Sequence, residues 1–312
     1  MRFFVTGGAG FIGSALVREL IDTDHEVVIF DDFSRGKRSM VPTTPRITFI
    51  EGDIRDRTGV ATAVRESRPE LVIHLAALHF IPDCVARPND TLEINVEGTR
   101  HVFDACASAE IRAMVFASSA AVYAPSDGPC SELASPLEPT DVYGESKLRG
   151  EQLANEYFSK TGCATSVLRI FNAIGPRETN PHVLPHVLET LQRTDALSLG
   201  NTSAKRDYID TRDIARAISL IASRSRGLQV YNVGSGRAYS VSEIVTLLSA
   251  KLGRPLPITV DPQRLRASDR PLLLASVDKL ERELGWSPGI TLDAALDELI
   301  RHYGLRVGPV QA

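Results

Sequence analysis

A glycine-rich segment close to the amino terminus constrains the fold of this chain more than any other feature. Thr6-Gly7-Gly8-Ala9-Gly10-Phe11-Ile12-Gly13 follows a short apolar run and precedes an amphipathic stretch. In the spacing G-x-x-G-x-x-G, the first glycine allows a tight turn, the second lets the backbone approach a diphosphate, and the third lets the helix pack closely on the strand. The segment therefore predicts a strand–loop–helix unit that binds a dinucleotide at the positive end of its helix, through Gly7, Gly10, Phe11, Ile12 and Gly13. A purely structural turn is the alternative interpretation.

Short apolar runs alternate with amphipathic stretches through the first half of the chain. The runs are rich in β-branched residues, as buried parallel strands are, and they lie at 3–5, 27–30, 47–50, 71–74, 115–117 and 167–170. The amphipathic stretches predict helices near 11–22, 57–67, 90–109 and 141–161. This alternation predicts an α/β fold with a doubly wound parallel sheet of the Rossmann type, covered by helices on both faces.

The regular alternation of apolar runs and amphipathic stretches ends at about residue 172. Prolines stand at 176, 181 and 185, and helices are predicted near 183–193, 211–223, 240–252 and 292–303. Ser240 and Glu243 have the spacing of a capping box at the start of the third of these helices. We expect a dinucleotide-binding domain over 1–172, to which elements near 207–233 return. A second, smaller mixed α/β domain is expected over 173–312.

Acidic residues follow the second and third predicted strands. Asp31 stands 18 residues after Gly13, where a carboxylate hydrogen-bonds the ribose hydroxyls of a dinucleotide, and Asp32 lies beside it. A carboxylate at this place repels the extra phosphate of NADP, so the sequence favours NAD, although Arg35 and Lys37 lie nearby. Asp53 and Ile54 are candidates for the adenine pocket, and the alternative is that Asp53 caps a helix.

A tyrosine and a lysine stand four positions apart at the start of the helix predicted over 141–161. On a helix, the side chains of Tyr143 and Lys147 share one face. A nearby cation favours the ionised form of a phenol, so Tyr143 is a candidate general base. Ser118 and Ser119 follow the fifth strand, at the edge of the sheet where ligands bind. The alternative is an exposed surface pair and a turn serine.

The composition excludes several classes of protein. The net charge is −4, so the chain has no general attraction for nucleic acid or for an anionic membrane. The four cysteines lack disulfide or zinc spacing, which fits a reducing cytoplasm. No run of about 18 apolar residues exists to span a bilayer. His79, His182 and His186 have no metal-ligand spacing and are expected to pack or to form hydrogen bonds, so no metal is predicted.

The motifs taken together resemble the extended short-chain dehydrogenase/reductase family. They are 6–13, Asp31, His74-Leu75-Ala76-Ala77, Asn95, 118–123, 143–147 and 169–172. Within the family, the chain is most similar to the nucleotide-sugar epimerase/dehydratase branch, and there to the UDP-glucose (UDP-galactose) 4-epimerases. The resemblance implies a doubly wound NAD domain, a smaller nucleotide-sugar domain and a homodimer in which the helices that begin near 90 and 141 pack against their copies.

The resemblance also implies a role for each matching residue. Tyr143 is the base, Lys147 its modulating cation and Ser119 the helper hydroxyl. Asn172 contacts the sugar. Arg206 binds the diphosphate, and Arg266 with Asp269 holds a phosphate and the ribose of the nucleoside. The remaining contacts to NAD are expected from Ala76, Ala77, Asn95 and Ser118.

Ala120 and Ala121 follow Ser119 and bear on the reaction. Dehydratases and decarboxylases of the family carry a segment similar to Thr-Asp-Glu or Thr-Glu at these positions, because expelling water needs an acid and a base besides the tyrosine. Alanine supplies neither, so the sequence favours NAD-dependent 4-epimerisation of a nucleotide-linked hexose, with UDP as the expected nucleotide and with NAD recycled through a 4-keto intermediate. A nucleotide-sugar dehydratase, a net NAD(P)-dependent sugar oxidoreductase and a redox-silent dinucleotide-binding regulator remain as alternatives.

The sugar itself is left open. Leu273 falls where galactose epimerases often carry a tyrosine that limits the pocket, and a leucine there admits bulkier groups such as an N-acetyl group. The segment 175–182 is the expected substrate loop, with His182 and the following Val183 beside the substrate. Within it, Arg177 is a candidate partner for a uronic acid carboxylate, or it fixes the loop. The pathway and the direction of flux are not given by the sequence.

Overall fold

The computed structural model describes residues 1–264 and 270–307. The strands are β1 (Arg2–Thr6), β2 (Glu26–Asp31), β3 (Ile47–Glu51), β4 (Leu71–His74), β5 (Ala113–Ser119), β6 (Ala164–Ile170), β7 (Asn172–Ile174), β8 (Leu197–Leu199), β9 (Lys205–Asp210), β10 (Leu228–Val233), β11 (Ala238–Ser240), β12 (Ile258–Val260) and β13 (Leu272–Leu273). The helices are α1 (Phe11–Asp22), α2 (Arg57–Ser67), α3 (Ile81–Ala86), α4 (Pro88–Leu92), α5 (Thr99–Ala107), α6 (Val142–Thr161), α7 (Val183–Leu191), α8 (Thr211–Arg224), α9 (Val241–Leu252), α10 (Asp278–Leu284) and α11 (Leu292–His302). A π-helical segment, Glu93–Gly98, joins α4 to α5, and 3₁₀ turns lie at Arg38–Met40, Ala120–Val122 and Pro262–Arg264.

Within the described residues, seven strands form one parallel sheet in the order β3-β2-β1-β4-β5-β6-β10. The chain winds outward from β1 in one direction to β3 and in the other to β10. The crevice between the carboxyl ends of β1 and β4 is therefore a topological switch point, the place where open α/β sheets bind ligands. The prediction of a doubly wound α/β fold is confirmed.

Helices cover both faces of this sheet because successive strand residues point to opposite sides. Val115 faces a core built with α1, α8 and α10, whereas Met114 and Phe116 face a core built with α2, α5 and α6. Burying each such side chain contributes about 1.5–3 kcal/mol, so this two-faced apolar pattern holds the strand edges in a fixed register. The strands of the large sheet are thus packed between two apolar cores.

The rest of the chain forms a second lobe, which comprises β7–β9, β11–β13, α7, α9 and α11. Strand β9 is its centre, pairing in parallel with β7 and β13 and antiparallel with β11, while β8 pairs with β12. Helices α7, α9 and α11 pack on these strands over a core of their own. The chain enters this lobe at β7 and returns through α8 and β10 to the large sheet. The division at residue 172 remains a prediction.

The end caps explain where the helices begin. Asp141 accepts a hydrogen bond from the N–H of Gly144 at 2.8 Å and starts α6. The capping box of Ser240 and Glu243 is confirmed at the start of α9. Helices α3 and α10 were not expected, since seven residues or fewer give too short a periodic pattern to be recognised. Among the described helices, none combines the length and the apolar character that crossing a bilayer requires.

Candidate active site

A large cleft lies between the carboxyl edge of the large sheet and the second lobe. Its volume is about 1420 Å³, larger than the roughly 300–1,000 Å³ of an ordinary small-molecule site. Loops that follow β1, β2, β4, β5 and β6 line one side. Residues between 172 and 185 and between 200 and 208 line the other. The cleft is therefore large enough for two ligands, one on each side.

The glycine segment forms the floor of the cleft on the sheet side. Gly7 has φ +69°, and its carbonyl oxygen accepts the N–H of Gly10 at 3.1 Å, which closes the tight turn. A Cβ atom on Gly13 would lie 2.1 Å from the carbonyl oxygen of Gly7, so only glycine lets α1 approach this closely. The N-cap of α1 is Gly10, whose lack of a side chain leaves the first N–H groups of the helix to a ligand. Phe11, Ile12 and Gly13 line the cleft beside them.

The acids after β2 and β3 also line the cleft. Asp31 accepts hydrogen bonds from the N–H groups of Ala9 and Phe33, both at 2.9 Å, and each of its oxygens keeps a lone pair for a further donor. Burial raises the pKa of this carboxyl. Asp32 accepts a hydrogen bond from the N–H of Ser34 at 3.0 Å, and its neighbour Arg35 is paired with Asp83.

Asp53 and Ile54 lie at the far end of the same wall. The Asp53 carboxylate is bound by the side chain of Arg55, which lowers its pKa. Asp56, not Asp53, caps α2, since its side chain accepts the N–H groups of Thr58 and Gly59. The helix-capping alternative for Asp53 is therefore wrong.

The candidate catalytic residues converge where β5 ends and α6 begins. Burial raises the pKa of Tyr143 to about 12, and the nearby Ser119 hydroxyl opposes that rise. Lys147, one turn further along α6, donates from Nζ to the carbonyl oxygen of Ala117 at 2.8 Å, and burial lowers its pKa to about 8. Both shifts favour the neutral side chains. All three residues line the cleft.

The polar groups of Ser118 and Asn95 form hydrogen bonds within the protein instead of facing the cleft. Ser118 donates its hydroxyl to Glu151, which forms a buried ion pair with Arg169 at 2.7 Å. Asn95, in the π-helical segment, accepts the N–H of Leu78 and donates to the carbonyl oxygen of Leu78, both at 2.8 Å.

Asn95 does not line the cleft, contrary to the expectation that it contacts the cofactor. It also donates to the hydroxyl of Ser146 on α6, so both ends of its amide are occupied. Its amide thus fixes the loop that presents Ala76 and Ala77, which do line the cleft.

The structure brings most of the expected substrate residues to the second side of the cleft. Asn172, His182, Val183, Arg206 and Leu273 line it. The side chain of Arg206 is held by the carbonyl oxygen of Arg270 at 2.7 Å. Arg266 and Asp269 lie outside the described residues.

Arg177 is not among the residues that line the cleft, contrary to the expectation that it meets a substrate carboxylate. Its backbone is left-handed, with φ 74°. Its guanidinium is partly buried in the field of Arg18, Glu298 and Arg212, and burial lowers its pKa. The alternative interpretation, that Arg177 fixes the loop, fits this position.

Sequence reasoning missed several residues of the second side. Arg264 and Arg270 line the cleft and flank the segment that contains Arg266 and Asp269. Glu178 lines it too, and its carboxylate accepts the N–H of Asn180 at 2.8 Å, while burial raises its pKa. The spacing of positive residues around 264–270 was the available signal for the arginines. No local pattern marks Glu178.

Comparisons with known proteins bear on this geometry. Residues 3–234 match the model of the NAD dependent epimerase/dehydratase family. The chain is 34% identical over 305 residues to a UDP-glucose 4-epimerase of Corynebacterium glutamicum, covering 92% of this chain and 91% of that one.

Solved structures extend the similarity to the fold. A UDP-glucose 4-epimerase of Thermus thermophilus, in complex with NAD, superposes with a TM-score of 0.87 at 30% identity, covering 98% of this chain and 99% of that one. MoeE5, solved in complex with UDP-glucuronic acid and NAD, superposes with a TM-score of 0.87 at 30% identity, covering 97% and 98%.

Proposed function

The chain belongs to the NAD dependent epimerase/dehydratase family, and from this premise we propose that it catalyses NAD-dependent 4-epimerisation of a UDP-linked hexose. The observation that carries the proposal is the convergence of Ser119, Tyr143 and Lys147 at the centre of a cleft with two differently built sides. The glycine side fits a dinucleotide, and the second side presents arginines to a second ligand.

NAD fits the sheet side of the cleft. The close approach of Gly7 to Gly13 leaves the first N–H groups of α1 for the diphosphate, and Asp31 keeps lone pairs for the ribose hydroxyls. Arg35 is occupied by Asp83 and so is not offered to the additional phosphate of NADP. We assign the adenine end to Asp32, Asp53 and Ile54, and the loop carrying Ala76 and Ala77 to the remainder of the cofactor. When bound, NAD accepts a hydride from carbon 4 of the sugar and returns it, so that no net redox change results.

Tyr143 is the proposed general base. Its phenol takes the proton of the sugar 4-hydroxyl and gives it back when the opposite configuration forms. With a pKa raised to about 12 by burial, the phenol depends on nearby positive charge to ionise near neutral pH. Lys147 is the chain's own source of that charge, and the nearby Ser119 is the proposed helper hydroxyl.

The second side of the cleft is assigned to the UDP-sugar. Guanidinium groups match phosphate oxygens, so we propose Arg206 for the diphosphate, as well as Arg266 with Asp269 for a phosphate and the ribose. Arg264 and Arg270 add positive charge along the same wall. Asn172, His182, Val183 and Leu273 line the cleft and are the proposed contacts to the sugar half.

The wall next to Ser119 supports epimerisation over dehydration. Ala120 is buried, Ala121 is partly exposed, and both line the cleft. Neither carries a proton-transferring group, so this wall cannot assist the loss of water from a 4-keto sugar. The 4-keto intermediate is therefore expected to be reduced again rather than to eliminate.

The test uses the purified protein with no NAD added. It is incubated separately with UDP-glucose, UDP-N-acetylglucosamine and UDP-glucuronate. The expected product has unchanged mass and the opposite configuration at carbon 4, as read by mass spectrometry and proton NMR. A product lighter by one water identifies a dehydratase, and a stoichiometric change in free NADH absorbance identifies a net oxidoreductase. Either result overturns the proposal.

A homodimer and a cytoplasmic location complete the proposal. The helical segments 88–107 and 142–161 pack side by side on one face of the large sheet, which supports pairing with the same segments of a second copy. Light scattering at the mass of one chain would contradict the dimer. The thiols of all four cysteines are unpaired, which supports a reducing compartment.

A further inference from the structure

Two histidines and a glutamate from distant parts of the chain meet in the wall of the cleft. His79 follows β4, Glu178 follows β7, and His182 stands at the start of α7. One ligand atom of each, a ring nitrogen or a carboxylate oxygen, lies within 4.8 Å of the other two. All three side chains are partly buried and line the cleft. Two imidazoles and one carboxylate form a donor set that binds zinc in enzymes.

The orientation of His79 suits a metal ligand. Its Nε2 accepts a hydrogen bond from the Nδ2 of Asn180, 2.9 Å away. The Asn180 amide orientation is set by Glu178, because a carboxylate only accepts and Nδ2 lies 3.4 Å from its Oε1. His79 is therefore neutral, with the Nε2 lone pair directed at the cluster.

The same amide marks the place where a cation fits. The N–H groups of Asn180 Nδ2 contact both the His79 nitrogen and the Glu178 oxygen. The His79 nitrogen and the Glu178 oxygen thus both point at the same amide group, whose hydrogens carry partial positive charge. The partly buried Glu178 carboxylate accepts hydrogen bonds from the backbone N–H and the side-chain amide of Asn180.

We propose that His79, Glu178 and His182 bind one divalent transition-metal ion of the zinc class, with coordination left open toward the cleft. Tetrahedral zinc with bonds near 2.1 Å needs ligand atoms about 3.4 Å apart, which small side-chain rotations provide from the present spacing once Asn180 turns aside. A water or a hydroxyl of the bound ligand completes the coordination. The ion joins the loop after β4 on the sheet side to the loop before α7 on the second side. The inference depends only on this geometry and not on the epimerisation.

The test measures metal binding directly in protein that carries no affinity tag. Metal-stripped protein is titrated with Zn²⁺ by calorimetry and with Co²⁺ by visible absorption, which reports nitrogen ligands and coordination number. We expect equimolar binding and cobalt bands of four- or five-coordinate geometry. His79→Ala, Glu178→Gln and His182→Ala should each weaken binding at least about tenfold, since changes even outside the ligand set cost that much.

His186→Ala is the matched control, because His186 lies one turn beyond His182 on α7 and hydrogen-bonds Arg264 instead of the cluster. It should bind the metal as the natural chain does. Thermal unfolding gives a second readout: Zn²⁺ should raise Tm in the natural chain and in His186→Ala, but not in Glu178→Gln, whose shape is conserved. Failure to bind an equimolar ion, or equal losses in His186→Ala and Glu178→Gln, overturns the proposal. Because no substrate is present, neither result depends on whether the protein is an epimerase.

Discussion

The sheet side and the second side of the cleft are built from different parts of the chain. On the sheet side, backbone forms much of the lining, at the turn at Gly7, the first N–H groups of α1 and the loop carrying Ala76 and Ala77, beside the carboxylates of Asp31 and Asp53. On the second side the lining is mainly side chains, with His182, Arg206 and Leu273 reaching in from loops and short strands. A backbone cradle tolerates no added atom, whereas a side-chain wall can change its residues and keep its fold. On the sheet side, a substitution that adds atoms should therefore disrupt ligand binding. On the second side, a substitution should instead change which ligand is preferred.

The largest effect is expected from a substitution of the proposed general base, Tyr143. Tyr143→Phe removes the hydroxyl that takes the proton and leaves the ring that fills the wall. Turnover should fall by about 10²–10⁴-fold, the usual contribution of a general base, with retention of NAD and Tm unchanged. Steady-state kinetics measure the turnover, the absorbance of bound cofactor measures the retention of NAD, and thermal unfolding measures Tm. Tyr303→Phe, outside the cleft on the last described segment, is the control and should keep full activity. Activity retained in Tyr143→Phe would remove the proposed base.

The next effect tests the sheet side by size alone. Gly13→Ala places a Cβ 2.1 Å from the Gly7 carbonyl oxygen and 2.7 Å from the Cα of Gly8. The helix must move away, which should cost about 1–3 kcal/mol in the free energy of unfolding and abolish retention of NAD through purification. Urea unfolding and the cofactor content of the purified protein are the measurements.

Gly128→Ala is the matched control for that experiment. A Cβ at Gly128 meets no atom within 4 Å, and its backbone is outside the left-handed region. Its stability and cofactor content should equal those of the natural chain. If Gly13→Ala behaves in the same way, the close contact of α1 with the glycine turn is not what forms the dinucleotide site.

On the second side, a larger side chain should change selectivity and leave the fold intact. Leu273→Tyr fills space in the cleft, so kcat/KM for UDP-N-acetylglucosamine should fall about tenfold relative to that for UDP-glucose. Leu272→Tyr is the control, because adjacent residues of β13 point to opposite faces and Leu272 does not line the cleft. A uniform loss for both substrates in Leu273→Tyr would mean that residue 273 does not limit the sugar.

The two sides also differ in how far the sequence predicted them. The glycine turn, Asp31 and the Tyr143–Lys147 pair are local patterns whose geometry follows from strand–helix alternation, and all of them line the cleft. Glu178 meets His79 only because β7 pairs with β9 and carries the following loop across the cleft. That pairing joins segments far apart along the chain, which no local pattern encodes. Likewise, the motif that contains Asn95 predicts a contact with the cofactor, but the direction of its amide depends on the π-helical turn.

The smallest expected effect concerns the positive charge of Lys147. Burial lowers the pKa of Lys147 to about 8, so its cation is present below that pH and is lost as pH rises through it. Since the cation favours the ionised phenol of Tyr143, kcat/KM should decline on the alkaline side, by about half at the pKa of the lysine. In Lys147→Arg, the guanidinium stays charged, so its lower activity should show no such decline. The folded state releases this proton before the unfolded state does, so the contribution of Lys147 to the free energy of unfolding rises over the same range. Activity that falls while stability does not is thus the signature of the lysine, and a parallel loss of both would assign the decline to unfolding.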